Sequence, residues 1–163
     1  MKKLRLLITE KCNRNCEGCC NKDYDLENLP KIDNHFLYWD EILLTGGEPM
    51  LIPQIIRNLA SKIRSVNQCP IYVYTAKVDD LQAILSTLFF VDGLTVTLHE
   101  QKDVKPFLRF NKVIPNWVRK QLRLNIFKGI KISTINLGKW KIKKNIVWLK
   151  NCPLPEDETF MRY

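Results

Sequence analysis

A chain of 163 residues with 45% hydrophobic content and a net charge of +9 holds enough apolar material for one domain with a buried core. No stretch approaches the length of a membrane span. The opening MKKLRLLITEKC begins with a basic pair, but its apolar run is about five residues where a secretory leader needs roughly 7–15. The expected location is the cytoplasm, where thiols stay reduced and clustered cysteines more often hold metal than pair as disulfides.

In chain order, LRLLIT (4–9) reads as a buried strand. The run KCNRNCEGCCNKD (11–23) follows at once and contains four of the six cysteines. Cys12, Cys16 and Cys19 have the spacing C-x3-C-x2-C, short enough for three thiolates from one loop to converge on one inorganic centre. Thiolates are soft ligands that select iron–sulfur clusters, zinc or copper(I). A closed zinc site or a fully cysteine-ligated cluster needs four ligands, so three leave one position open for chemistry. Cys20 is the local candidate for a fourth, but adjacent side chains on a loop usually diverge, and it is read as packing or incidental.

EILLTGG (41–47) is a second short apolar run closed by glycines. PQIIRNLASKIRSV (53–66) repeats apolar residues at helical spacing behind a proline suited to a first turn. PIYVYTA (70–76) reads as a strand, VDDLQAILSTLFF (78–90) as a helix and DGLTVTLHE (92–100) as a strand. A polar helix around 102–112 and a strand QLRLNIF (121–127) complete the pattern. Alternation of this kind implies βα units and a parallel sheet. A complete eight-unit barrel needs about 250 residues. The expectation is therefore an α/β fold, a single domain over 1–163 forming a partial, open parallel βα barrel of five to six units. The end of the chain is ambiguous: IKISTIN and KWKIKKNIVW fit an antiparallel hairpin turning near Leu137-Gly138, or a final parallel strand after an insertion.

Charge is concentrated late. Residues 101–150 hold fourteen Lys or Arg against one acid, Asp103, whereas the flanking segments are slightly acidic. This suggests an acidic protein surface or nucleic acid docking there, with a lysine-rich solvated face as the plain alternative. Trp117, Trp140 and Trp148 interleave with these charges. They are read as core-facing aromatics rather than a base-stacking platform.

The C-x3-C-x2-C loop after the first strand resembles the cluster motif of radical S-adenosylmethionine enzymes. Thr45-Gly46-Gly47-Glu48-Pro49, at the end of the second strand, matches the GGEP motif of the same superfamily. The resemblance covers residues 1–127. It implies an iron–sulfur, metal-binding oxidoreductase with a 4Fe–4S cluster on Cys12, Cys16 and Cys19. S-adenosylmethionine would chelate the open iron and contact Gly46, Gly47 and Glu48, with Thr75, Thr97 and Asn125 as further strand-end contacts. It also implies a reductant such as flavodoxin or ferredoxin. Many relatives place an aromatic residue before the third cysteine, where this chain has Gly18. The run Cys16-Glu17-Gly18-Cys19-Cys20-Asn21 is locally similar to activases of anaerobic ribonucleotide reductase, without their glycine-rich segment ahead of the cluster.

A short chain with little material for a lid favours a partner protein as substrate, as in a glycyl-radical activase. Modification of a nucleotide, nucleic acid or peptide is the enzymatic alternative. A zinc or electron-transfer module, closed by Cys20 or a distant cysteine, is the non-enzymatic one. His99, at the end of the fourth strand, is read as a satisfied, partly buried histidine before a proton donor. His35 is assigned nothing, Cys69 is expected to be a core thiol, and Cys152 is left without a role.

Overall fold

The computed structural model describes residues 1–163 except Asn34, Asn116, Trp117, Thr134 and Ile135, so the expectation for Trp117 lies outside the described residues. Seven strands form one open sheet: β1 (Lys3–Leu7), β2 (Glu41–Thr45), β3 (Ile71–Thr75), β4 (Gly93–Leu98), β5 (Gln121–Phe127), β6 (Trp140–Ile146) and β7 (Glu158–Arg162). Their spatial order is β6-β5-β4-β3-β2-β1-β7, and every pairing is parallel. The helices are α1 (Pro53–Arg64), α2 (Leu81–Leu88) and α3 (Val104–Val113).

The inner strands are nearly continuous apolar runs, as strands covered on both faces must be. Leu4, Leu6, Ile42, Leu44, Ile71, Val73, Leu94, Val96 and Leu124 are fully buried. Helix α1 turns Ile56, Leu59, Ala60 and Ile63 onto the sheet, the i, i+3, i+4, i+7 stripe of an amphipathic helix. Helix α2 starts where the Asp80 carboxylate accepts from the Ala83 backbone N–H, the usual chemistry of an N-cap.

The end of the chain takes the second of its two expected forms, a final parallel strand after an insertion, and adds a seventh strand to the sheet. The first arm of the hairpin alternative, IKISTIN (130–136), forms no strand among the described residues; β6 lies parallel to β5, with Leu122 opposite Trp140 and Leu124 opposite Ile142. A parallel return needs a crossover of about a dozen residues, and the chain between Phe127 and Trp140 supplies it. Leu137 buries itself in the core on the way. Lys139 Nζ donates to the Asn111 and Ile114 carbonyls, closing the connection against the end of α3. Trp140 is core, as expected: its ring meets Phe107 and Phe110 edge-on and its indole N–H reaches Asn111.

The unassigned tail provides the seventh strand. Strand β7 pairs with the free edge of β1, Lys3 opposite Glu158 and Leu7 opposite Arg162. Glu158 at its start and Asp157 just before it meet the basic start of the chain in the ion pairs Lys3–Asp157 (2.8 Å) and Arg5–Glu158 (2.6 Å). Because all seven strands run the same way, their C-terminal ends share one rim. The loops after β1, β2, β3 and β4 meet there.

Candidate active site

At that rim lies a pocket of about 310 Å³, at the small end of the roughly 300–1,000 Å³ range of ligand sites. Its walls include Cys12, Cys16 and Cys19 from the loop after β1, Gly46, Gly47 and Glu48 after β2, Thr75 and Ala76 after β3, and Thr97 and His99 at the end of β4. The sequence-predicted cysteines and the GGEP segment are therefore neighbours in space. Asn125 stands behind this wall, its side-chain amide 3.5 Å from the Thr97 hydroxyl.

The two motifs are joined through backbone. Gly47 N–H donates to the Thr9 carbonyl (2.8 Å) and Glu48 N–H to the Lys11 carbonyl (2.9 Å). A Cβ on Gly47 would stand 2.3 Å from the Lys11 oxygen and 2.5 Å from the Glu10 oxygen. This glycine is thus required for close approach to the cysteine loop itself. The Gly46 carbonyl accepts from the Asn21 side chain (3.0 Å), which ties the far end of the loop to the same segment.

Glu48 is buried and already engaged. Its Oε1 accepts from the Met50 N–H (3.0 Å) and the Thr75 hydroxyl (2.5 Å), and its Oε2 from the Ala76 N–H (2.9 Å). A carboxylate has about four acceptor positions, so one remains for a donor in the pocket. Thr75 accordingly acts on Glu48 and lies within the wall.

Arg14, between the first two cysteines, escaped the sequence reading. Its guanidinium forms a two-pronged ion pair with Asp103, Nη1 to Oδ2 (2.9 Å) and Nη2 to Oδ1 (2.8 Å), and reaches the Ala76 carbonyl (3.2 Å). Asp103 Oδ2 also accepts from the backbone N–H groups of His99 and Glu100. This pins the cysteine loop to the turn leading into α3. Burial opposes the charge on Asp103, but the hydrogen bonds from Arg14 and the backbone outweigh it and hold the carboxyl below its ordinary range. Burial pushes the Cys16 thiol up, Cys19 and Cys12 push the same way, and the Arg14 charge offsets part of this. Cys16 is then a protonated thiol at neutral pH, and metal ligation must displace that proton.

His99 corrects its expectation. It is not satisfied: its Nδ1 is buried without a hydrogen-bond partner. Burial first, and Arg14 second, hold the imidazole below its ordinary pKa, in the neutral form. The ring lies parallel to Trp148, with centroids 5.2 Å apart. Trp148 is therefore not core but a half-exposed wall of the pocket.

Cys20 and Cys152 also take a role that the sequence did not reveal. They are joined in a disulfide across 132 residues of sequence, and the Tyr24 hydroxyl donates to the Cys152 carbonyl. Cys69 is a buried thiol, as expected. Closing so long a loop restricts the unfolded chain, and such bonds contribute about 2–4 kcal/mol. Dithiothreitol is expected to lower the urea midpoint by the corresponding amount, and Cys152→Ser to remove the sensitivity to reductant.

Among the described residues, no group of three or more His, Cys, Asp or Glu side chains is placed to hold a metal ion, and no helix is long and apolar enough to cross a membrane.

No family model matches this chain, and no curated protein matches it in sequence. Among solved structures it is similar to SuiB of Streptococcus suis, crystallised bound to S-adenosylmethionine, with a TM-score of 0.52 at 13% identity. The match covers 99% of this chain and 47% of that one, so this chain spans about half its neighbour's length. The class defined by fold and site is an α/β protein with an open parallel sheet and a thiol-lined pocket at its C-terminal rim. At this identity the likeness is one of fold.

Proposed function

We propose that this chain is a radical S-adenosylmethionine enzyme that holds a 4Fe–4S cluster on Cys12, Cys16 and Cys19. The observation that carries the reading is the meeting of these three thiols with the Gly46–Glu48 segment at one pocket. The donor set suits the group by ligand chemistry: three soft ligands from one loop would leave one coordination position for a ligand in the pocket, although the three thiols are not gathered into metal-holding geometry in this structure. Cys20 and Cys152, two of the cysteines that could close a zinc site, are instead bonded to each other, and this weighs against the non-catalytic module. The solved neighbour's bound S-adenosylmethionine supports the same reading. When bound, the cluster supplies the electron that cleaves the sulfonium of S-adenosylmethionine and yields a 5′-deoxyadenosyl radical for hydrogen abstraction.

The chain's own residues would bind, orient and exclude water. Glu48, fixed by three donors, offers its remaining lone pair to an ammonium group, while Gly46 and Gly47 hold the cysteine loop over it. Thr97, with Asn125 behind it, extends the polar wall, and the Arg14–Asp103 pair ties the cysteine loop to the turn after β4. The favoured substrate is a partner protein that covers the open rim; a nucleotide, nucleic acid or peptide is the second reading. Among the described basic residues of 101–150, the ion pair formed is that of Lys102 with Glu100. The exposed lysines of β6 and the Lys105-Arg109-Lys112 face of α3 suit an acidic partner, which includes an acidic electron donor such as flavodoxin or ferredoxin. The proposed setting is the cytoplasm, although the Cys20–Cys152 bond is the feature that speaks for an oxidising one.

Anaerobic reconstitution with iron and sulfide tests the assignment. The wild type is expected to retain four iron and four sulfide per chain, the composition of the cluster, and Cys16→Ala or Cys19→Ala to lose them. Zinc without labile sulfide in the purified protein would overturn it.

A further inference from the structure

Gly18, directly before Cys19, has no side chain, and the space is filled from the other end of the chain. A Cβ built on it would stand 2.5 Å from Trp148 Cγ, 2.6 Å from its Cβ and 2.7 Å from its Cδ2. No side chain at position 18 can coexist with Trp148 where it stands. The indole is also fixed from its other neighbours, parallel to His99 at 4° and 4.3 Å from the Phe127 ring. Its own neighbours in sequence, Val147 and Leu149, are 54% and 60% exposed, so this segment sends Trp148 alone toward the pocket. The Cys20–Cys152 bond and the Tyr24 hydroxyl on the Cys152 carbonyl anchor the segment four residues further on.

We propose that Trp148 is a positioning residue of this pocket: it supplies, from the C-terminal segment, the aromatic wall that the cysteine loop lacks at Gly18, and a bound nucleoside is placed against it. The inference rests on the S-adenosylmethionine reading for its ligand. An apolar, planar surface suits a purine ring, and the rest of the pocket, with its thiols, Glu48 and Thr97, supplies polar contacts to the other end of such a ligand. Contact with an aromatic wall also explains why Gly18 is small without leaving the pocket open on that side.

The test uses the reconstituted protein and S-adenosylhomocysteine, a probe that is bound and not cleaved, with affinity read by calorimetry. Trp148→Ala is expected to weaken binding on the order of tenfold, the scale of losing one base–aromatic contact, and Trp148→Phe to restore most of it. Gly18→Phe alone is expected to bind poorly because two rings compete for one space. Gly18→Phe combined with Trp148→Ala moves the ring to the loop and is expected to bind more tightly than either single variant. Iron content and thermal midpoint of each variant identify any that fails to fold, and Trp148→Phe against Trp148→Ala then carries the comparison. Equal affinity of wild type and Trp148→Ala would overturn the role of Trp148 while leaving the broader reading intact. A folded, iron-loaded wild type that does not bind the probe would overturn the S-adenosylmethionine reading and the ligand role together.

Discussion

Asp103→Ala is expected to lower stability by about 3–5 kcal/mol, the usual cost of removing one partner from a buried ion pair. Asp103 has 3% of its side chain exposed and Arg14 has 14%. The substitution leaves a guanidinium charge inside the rim with a single carbonyl, Ala76, for company. It also strips an acceptor from the His99 and Glu100 N–H groups. The damage is aimed at the cysteine loop, since Arg14 lies between Cys12 and Cys16 and Asp103 is its ion-pair partner. Urea unfolding at neutral pH measures the loss. The effect carries a pH signature. The folded Asp103 carboxyl is held below its ordinary range, so its contribution is present above the unfolded value of about 3.9 and is lost as pH falls through the folded one. The gap between wild type and Asp103→Ala is expected to narrow in acid, below about pH 4, and to stay constant from pH 5 to 8.

Gly47→Ala has the second large effect. The new methyl would meet two backbone oxygens, of Glu10 and Lys11, at distances no real Cβ adopts. Backbone cannot rotate away as a side chain can, so the strand-end segment and the cysteine loop must separate. The hydrogen bonds from Gly47 to Thr9 and from Glu48 to Lys11 would go with the contact. Overpacking of this kind costs about 1–3 kcal/mol, occasionally more. The upper end applies here because the clash is with main chain. Chemical denaturation reads the stability, and iron retained after reconstitution reads the loop. Both are expected to fall, whereas an alanine at Gly129, where nothing lies within 4 Å, would meet no atoms and report only its backbone angle.

Much of this architecture was legible in the sequence, for reasons that can be named. Strands β1 to β5 are short apolar runs separated by helix-period segments, and periodicity is a local property. The cysteine loop and the GGEP segment were readable because spacing and order carry the signal. What failed depends on distant partners. A period-two pattern such as KWKIKKNI is the same in parallel and antiparallel pairing, so the direction of β6 could not be read. Strand β7 is five residues with one buried side chain, Phe160, and exists because β1 has a free edge and a basic start to neutralise. Arg14 finds Asp103 from 89 residues away, and Cys20 finds Cys152 from 132. In the sequence Trp148 reads as core, because aromatics between lysines usually are. The available hint was negative, a glycine in the position where similar loops carry a ring.

The most direct measurement of the central claim is anaerobic: the iron-loaded protein is mixed with S-adenosylmethionine and dithionite, and 5′-deoxyadenosine is quantified by chromatography beside a Cys16→Ala control. The account predicts product from the wild type and none from the variant. A wild type that carries its cluster and binds S-adenosylmethionine yet forms no 5′-deoxyadenosine would contradict it.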